Sequence, residues 1–182
     1  MERIRQLVGE SLLYCFAVVV LTGGFLAFHY VPDGQEVAYG GSYAPLSGVP
    51  ISAAYDSVLT ISLDVPGGLS MRQLHHSSTV VLFLGSVVWA VLGRLRYTPA
   101  LAVLGFVVLA GLGGYGSADD LLSGTFLGKV PVVVWYGLHL MTALAVGAAL
   151  VVSSRREAAQ RPRTPRFVAL SIVLAALAIL GL

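Results

Sequence analysis

Five stretches of this chain, residues 8–30, 69–92, 99–115, 130–152 and 167–182, are apolar over most of their length. A hydrocarbon layer about 30 Å thick asks for roughly 20 apolar residues in helical form, because an α-helix is the one open-ended element that satisfies all of its own backbone hydrogen bonds. The runs therefore predict an all-α membrane protein with five membrane helices, the third and fifth of them short. Hydrophobic residues make up 57% of the 182 positions and charged ones 11%, more apolar surface than a water-soluble core can absorb. Glu2, Arg3 and Arg5 before the first run resemble the start of a signal peptide, but the run exceeds the usual apolar region and no small-residue cleavage pattern follows. It reads as a retained anchor.

Arginines set the orientation. If the helices alternate, Arg3, Arg5, Arg94, Arg96, Arg155, Arg156, Arg161, Arg163 and Arg166 fall on one side, leaving Arg72 and Lys129 on the other with Asp33, Glu36, Asp56, Asp64, Asp119 and Asp120. Cytoplasmic loops carry the Lys/Arg excess, so the expectation is a multi-pass cell-membrane protein with a cytoplasmic amino terminus and an external carboxyl terminus. The net charge of +2 is then a matter of topology, and no aromatic-interleaved basic patch suggests nucleic acid. The single Cys15 lies mid-helix, which leaves no disulfide framework or CxxC motif and suits a small core residue.

Outside the apolar runs, residues 31–68 form the sizeable extramembrane piece, bounded by Pro32-Asp33-Gly34 and Pro66-Gly67-Gly68 turn signals. Within it Tyr55, Val58, Leu59 and Ile61 have the spacing of an amphipathic helix lying on the outer membrane surface. Asp119 and Asp120 sit in a second external loop, residues 117–129, as solvated caps or as a proton relay. Residues 155–166 read as a cytoplasmic basic connector.

Two histidines inside the apolar runs carry the chemistry. An ionisable side chain within a membrane span is costly and usually functional. His75 lies about eight residues below the Pro66-Gly67 turn and His139 nine below Val130, so at 1.5 Å per residue both are roughly 12 to 14 Å from the outer end of their helices. Two imidazoles at one depth suggest axial ligands of a haem iron inside a helical bundle. Arg72, one turn above His75 on the same face, is placed to meet a propionate. Gly23-Gly24 and Gly113-Gly114 lie toward the same side on the first and third helices, where small residues admit a flat ring or simply allow close helix packing. His76 points about 100° away from His75 and reads as a hydrogen-bonded neighbour or a bundle-facing polar group, while His29 beside Tyr30 reads as an interfacial anchor.

These residues resemble the amino-terminal four-helix half of cytochrome b, the membrane subunit of quinol:cytochrome c reductases, in its actinobacterial menaquinol-oxidising form. The resemblance rests on Leu21-Thr22-Gly23-Gly24, Tyr39-Gly40-Gly41-Ser42-Tyr43-Ala44-Pro45-Leu46, Arg72-Gln73-Leu74-His75-His76, Gly114-Tyr115, Asp119-Asp120-Leu121-Leu122-Ser123-Gly124-Thr125 and Leu138-His139-Leu140. It implies a haem-binding bundle over residues 1–154, the connector, and an extra membrane helix over 167–182. Haem b would be held by His75 and His139, with Arg72, Gly23 and Gly114 around it. The family carries two haems, each ligand helix supplying histidines fourteen apart, and Gly9 and Gly23 keep that spacing. Here the second member of each pair is Trp89 or Ser153, neither a usual haem ligand, so a single haem near the outer face is expected, with Trp89 filling vacated space.

The resemblance implies an electron-transfer subunit that exchanges electrons with a quinol-linked respiratory partner, quinol or menaquinol, and with an external redox protein. The Pro-Glu-Trp-Tyr tetrad of the family's quinol-oxidation pocket does not occur in these residues. A partner subunit carrying the family's carboxyl-terminal half is therefore expected to supply it. Two alternatives stand beside this reading: a non-redox scaffold or assembly protein that keeps the fold, and an enzyme relaying quinol protons through His76 or the Asp119-Asp120 pair.

Overall fold

The computed structural model describes residues 1–118 and 125–181. Its helices are α1 (Glu2–His29), α2 (Ala53–Leu63), α3 (Gly68–Leu92), α4 (Thr98–Ala118), α5 (Val132–Gln160) and α6 (Pro165–Leu180). Among the described residues four of these, α1, α3, α4 and α5, are long and apolar enough to cross a membrane. The chain is an all-α, multi-pass membrane protein. Large side chains such as Leu21, Phe28, Leu84, Val88, Met141 and Leu144 face outward, as a lipid-facing surface requires.

Helix α1 packs on α3, α3 on α4, α4 on α5 and α5 back on α1, which closes a four-helix ring with α3 and α5 on opposite corners. One side of the ring follows from a short connection: Arg94 and Leu95, both at positive φ, turn α3 back into α4 within a few residues. The buried residues of α3, Ser78, Leu82, Ser86 and Trp89, follow one another at three- and four-residue steps, as do Thr142, Val146, Leu150 and Ser153 on α5. That is the period of one helix face, and the two faces meet across the bundle axis.

Several boundaries differ from the sequence expectation, and α1 already starts at Glu2, six residues before the first apolar run. Helix α4 continues to Ala118, beyond residue 115, since Tyr115, Gly116 and Ser117 still pack or bond within the bundle. Helix α5 runs on to Gln160, so the basic connector shrinks to the few residues around Pro162; Arg155, Arg156, Glu157, Ala158, Ala159 and Gln160 are good helix formers and nothing interrupts them before the proline. Helix α6 starts at Pro165, where the Thr164 hydroxyl accepts the Phe167 N–H as an N-cap. At 16 residues it is about 24 Å long, shorter than a bilayer core, and falls outside the four spanning candidates. Its buried Phe167, Ser171, Ala175 and Ile179 lie at i, i+4 steps against α1 and α3.

At the end opposite the arginines, a two-stranded antiparallel hairpin, β1 (Glu36–Ala38) with β2 (Pro50–Ser52), encloses the buried Tyr39. The Ser52 hydroxyl caps α2 by accepting the Tyr55 N–H. Helix α2 forms where its amphipathic spacing predicts, but its Ala54, Val58 and Ile61 face is buried against the bundle end instead of lying on lipid. Gly67 at positive φ turns the chain from α2 into α3, and Gly68 sits so close to the Ile61 carbonyl that no Cβ fits there.

Candidate functional site: a paired imidazole centre

His75 and His139 each stand seven residues past the first residue of their helix, Gly68 and Val132, and so lie level on opposite corners of the ring. Their ring centroids are 6.3 Å apart at an interplanar angle of 65°. Both side chains are half-buried. The sequence brings them to one depth, and the fold turns them toward one another.

Hydrogen bonds fix which ring nitrogen faces the gap. The Nδ1 of His139 lies 2.7 Å from the Ala110 carbonyl, which can only accept, so Nδ1 carries the proton. The Nδ1 of His75 lies 3.0 Å from the Thr22 hydroxyl. That hydroxyl already donates to the Val18 carbonyl at 2.8 Å, so it meets His75 as an acceptor. Both imidazoles are thereby held as Nδ1–H tautomers with Nε2 unprotonated, the form in which histidine binds a metal.

The glycines set the clearance around these rings. A Cβ on Gly23 would stand 3.1 Å from Cε1 of His75, and one on Gly114 would stand 3.1 Å from Nδ1 of His139. A Cβ on Gly113 would meet the His139 backbone nitrogen at 2.8 Å, so that glycine permits the close approach of α4 and α5. Gly24 has open space around it and faces away. Arg72 is exposed one turn above His75, its Nη1 donating to the Ser62 hydroxyl at 3.0 Å and so linking α3 to α2.

His76 makes the hydrogen bond expected of it. His76 Nε2 pairs with the Tyr115 hydroxyl at 3.0 Å on the α4 side, and His29 stacks on Phe25 and Phe28 at 5.1 Å and 5.3 Å between centroids. Cys15 is buried, its Sγ donating to the Ser78 carbonyl at 3.2 Å. Asp119 and Asp120, with the rest of residues 119–124, lie outside the described residues.

Fourteen residues along each ligand-bearing helix the picture changes. Trp89, 1% exposed, fills the space over Gly9, where a Cβ would come within 2.9 Å of the indole. Tyr97 packs edge-on against Trp89 at 5.5 Å between centroids, and its hydroxyl bonds the Ser153 hydroxyl at 2.7 Å. Trp89 thus fills the second level on the α1–α3 side, while Tyr97 and Ser153 border a cavity toward α4 and α5. Around it, Glu10 pairs with Arg163 at 2.9 Å and accepts from the Ser154 hydroxyl at 2.8 Å, while Arg5 pairs with Glu157 at 3.1 Å and lies over the Tyr97 ring.

Three contributors escaped sequence reasoning. Thr22 stood inside the Leu21-Thr22-Gly23-Gly24 motif, yet nothing in its spacing told of a bond to His75. The Ala110 carbonyl has no side-chain signal at all. Tyr30 donates to the Ser117 carbonyl and stacks on Tyr136 at 5.1 Å, stitching α1, α4 and α5 at the hairpin end; burial pushes its phenol up to about 12, so it stays protonated.

The cytochrome bc1 complex cytochrome b subunit of Streptomyces coelicolor is 40% identical to the chain over 131 residues, covering 65% of the chain and 24% of that protein. The subunit of the same name from Corynebacterium efficiens is 36% identical over 157 residues, covering 80% of the chain and 27% of the relative. That of Mycobacterium leprae is 40% identical over 130 residues. The chain is a homologue of the actinobacterial cytochrome b subunits. It spans about a quarter of the length of these relatives. No family model matches it. Among the described residues there is no cluster of three or more His, Cys, Asp or Glu side chains that could hold a metal ion.

Proposed function

We propose that the chain is a membrane electron-transfer subunit that holds one haem b between His75 and His139, near the outer membrane face. The 6.3 Å between the two imidazole centroids carries this reading. An imidazole nitrogen bonds a first-row metal at about 2 Å, so two rings gripping one ion from opposite sides have centroids roughly 6 Å apart. Both Nε2 atoms are free for that purpose because Thr22 and Ala110 occupy both Nδ1 atoms. When bound, the haem supplies reversible one-electron storage.

The protein's own part is binding and orientation. Thr22 and the Ala110 carbonyl fix the tautomers, and Gly23 and Gly114 keep the walls beside the rings free of side chains. Arg72 keeps donors to spare beyond its bond to Ser62, enough to meet a carboxylate at the helix end. Trp89, Tyr97 and Ser153 leave no histidine pair at the second level, which supports a single haem per chain. With the arginine-rich end in the cytoplasm, the paired imidazoles fall in the outer half of the bilayer. Electron exchange would involve quinol or menaquinol, an external redox protein, and a partner subunit that completes a cytochrome b.

Trp89 and Ser153 in place of a second histidine pair also favour a non-redox scaffold that retains the fold, and one measurement separates the two. Purified full-length protein should show reducible Soret and alpha bands and one haem per chain in a pyridine haemochrome assay. His75→Ala and His139→Ala should each abolish the bands while the protein stays monodisperse. A wild-type spectrum without those bands would establish the scaffold reading, and a ratio of two haems per chain would overturn the single-site assignment.

A further inference from the structure

At the arginine-rich end, a cavity of 490 Å³ opens between α4 and α5, beside the start of α1. Its rim carries three guanidinium groups, Arg5, Arg96 and Arg156. Arg5 is committed to Glu157 and to the Tyr97 ring. Arg96 and Arg156 are exposed and make no ion pair among the described residues. Glu157, the one carboxylate on the rim, is itself bound by Arg5. The first residues of α4, Thr98 and Pro99, also border the space, adding the positive end of a long helix. Below the rim the wall turns apolar through Ala102, Ala149 and Val152, which belong to spanning helices.

We propose that this cavity binds an anionic phospholipid, with its phosphate between Arg96 and Arg156 and an acyl chain against the α4–α5 wall. Unpaired arginines above an apolar wall match a headgroup joined to hydrocarbon, and basic pockets between spanning helices are built to hold such lipids. A free inorganic anion would find the same charges but would leave the apolar wall unused. Tyr97 and Ser153 border the same space, and the site does not depend on haem at the paired imidazoles, so either assignment can fail alone.

Native mass spectrometry of the full chain, delipidated in detergent and incubated with phosphatidylglycerol or phosphatidylcholine of the same acyl composition, tests the proposal. Phosphatidylglycerol should be retained in preference, and rising salt should weaken its retention but not that of phosphatidylcholine. The doubly substituted Arg96→Gln, Arg156→Gln chain should lose about thirtyfold in affinity for phosphatidylglycerol, at about a kilocalorie per mole for each arginine at a membrane surface. Arg155→Gln, one residue earlier on α5 and outside the cavity wall, should leave retention unchanged. Equal retention of the two lipids, an unaffected double variant, or full displacement by millimolar inorganic phosphate would each overturn it. Should the double variant fail to fold, the salt dependence of the wild-type chain decides alone.

Discussion

Thr22 shows how one hydroxyl decides the state of a ring. It spends its proton on the Val18 carbonyl and accepts from His75, so that the imidazole presents Nε2 to the bundle axis. Replacing Thr22 with Val keeps the volume and removes the acceptor. Outer-shell partners of this kind contribute about 10- to 100-fold in affinity. Thr22→Val should therefore weaken haem retention by that order, read as the haem-to-protein ratio during dilution, with the helical content unchanged. Tyr30 gives a second test at this scale. Its phenol ionises near 10 when unfolded and near 12 when folded, so the folded state holds the proton more tightly. Stability should be fully present below about pH 10 and fall as the pH rises toward 12. Tyr30→Phe should reduce that slope in a thermal-shift series without abolishing it, because burial also raises the Tyr97 phenol.

Each long helix carries two levels of contact along one face, and the two levels have diverged in chemistry. On α3, His75 faces the gap near one end while Trp89 is packed solid near the other; on α5, His139 and Ser153 repeat the contrast. Trp89 holds α1 and α3 together through Gly9, and its indole makes the edge contact with Tyr97 that seats the start of α4. Trp89→Ala should cost about 3 kcal/mol or more in chemical unfolding, since an indole-sized void cannot collapse fully. It should leave the His75–His139 spectrum in place, because the two levels share helices but no side-chain contact. If the spectrum disappeared with the indole while the chain remained folded, the two levels would be coupled and the account of a filled second site would need revision.

For the molecule as a whole, the charge asymmetry and the bundle geometry make a joint prediction. Arg5, Tyr97, Ser153, Glu157 and Arg163 come together at one end, and Tyr30, α2 and the β-hairpin at the other. The positive-inside rule predicts that the first group faces the cytoplasm. Single cysteines introduced at exposed Gly40 or Ser47 in a Cys15→Ser background should react with an impermeant thiol reagent in intact cells, and cysteines at Arg94 or Arg155 only after lysis. The reverse labelling pattern would place the paired imidazoles in the cytoplasmic leaflet and remove the external redox partner from the functional proposal.

The order of the apolar runs determined by itself that this chain crosses a membrane several times, because backbone satisfaction in lipid admits little else. Counting residues from each turn was enough to level His75 with His139, since helical rise is fixed. Resemblance in a handful of motifs identified the family that the curated relatives bear out. Residue order says nothing, however, about which helices stand on opposite corners, and that arrangement turns two level histidines into a facing pair. The bonds from Thr22 and Ala110, the burial of α2 against the bundle end, and the stacking of Tyr97 on Trp89 join residues far apart in the chain. Such contacts depend on packing between helices, and only the tertiary structure decided them.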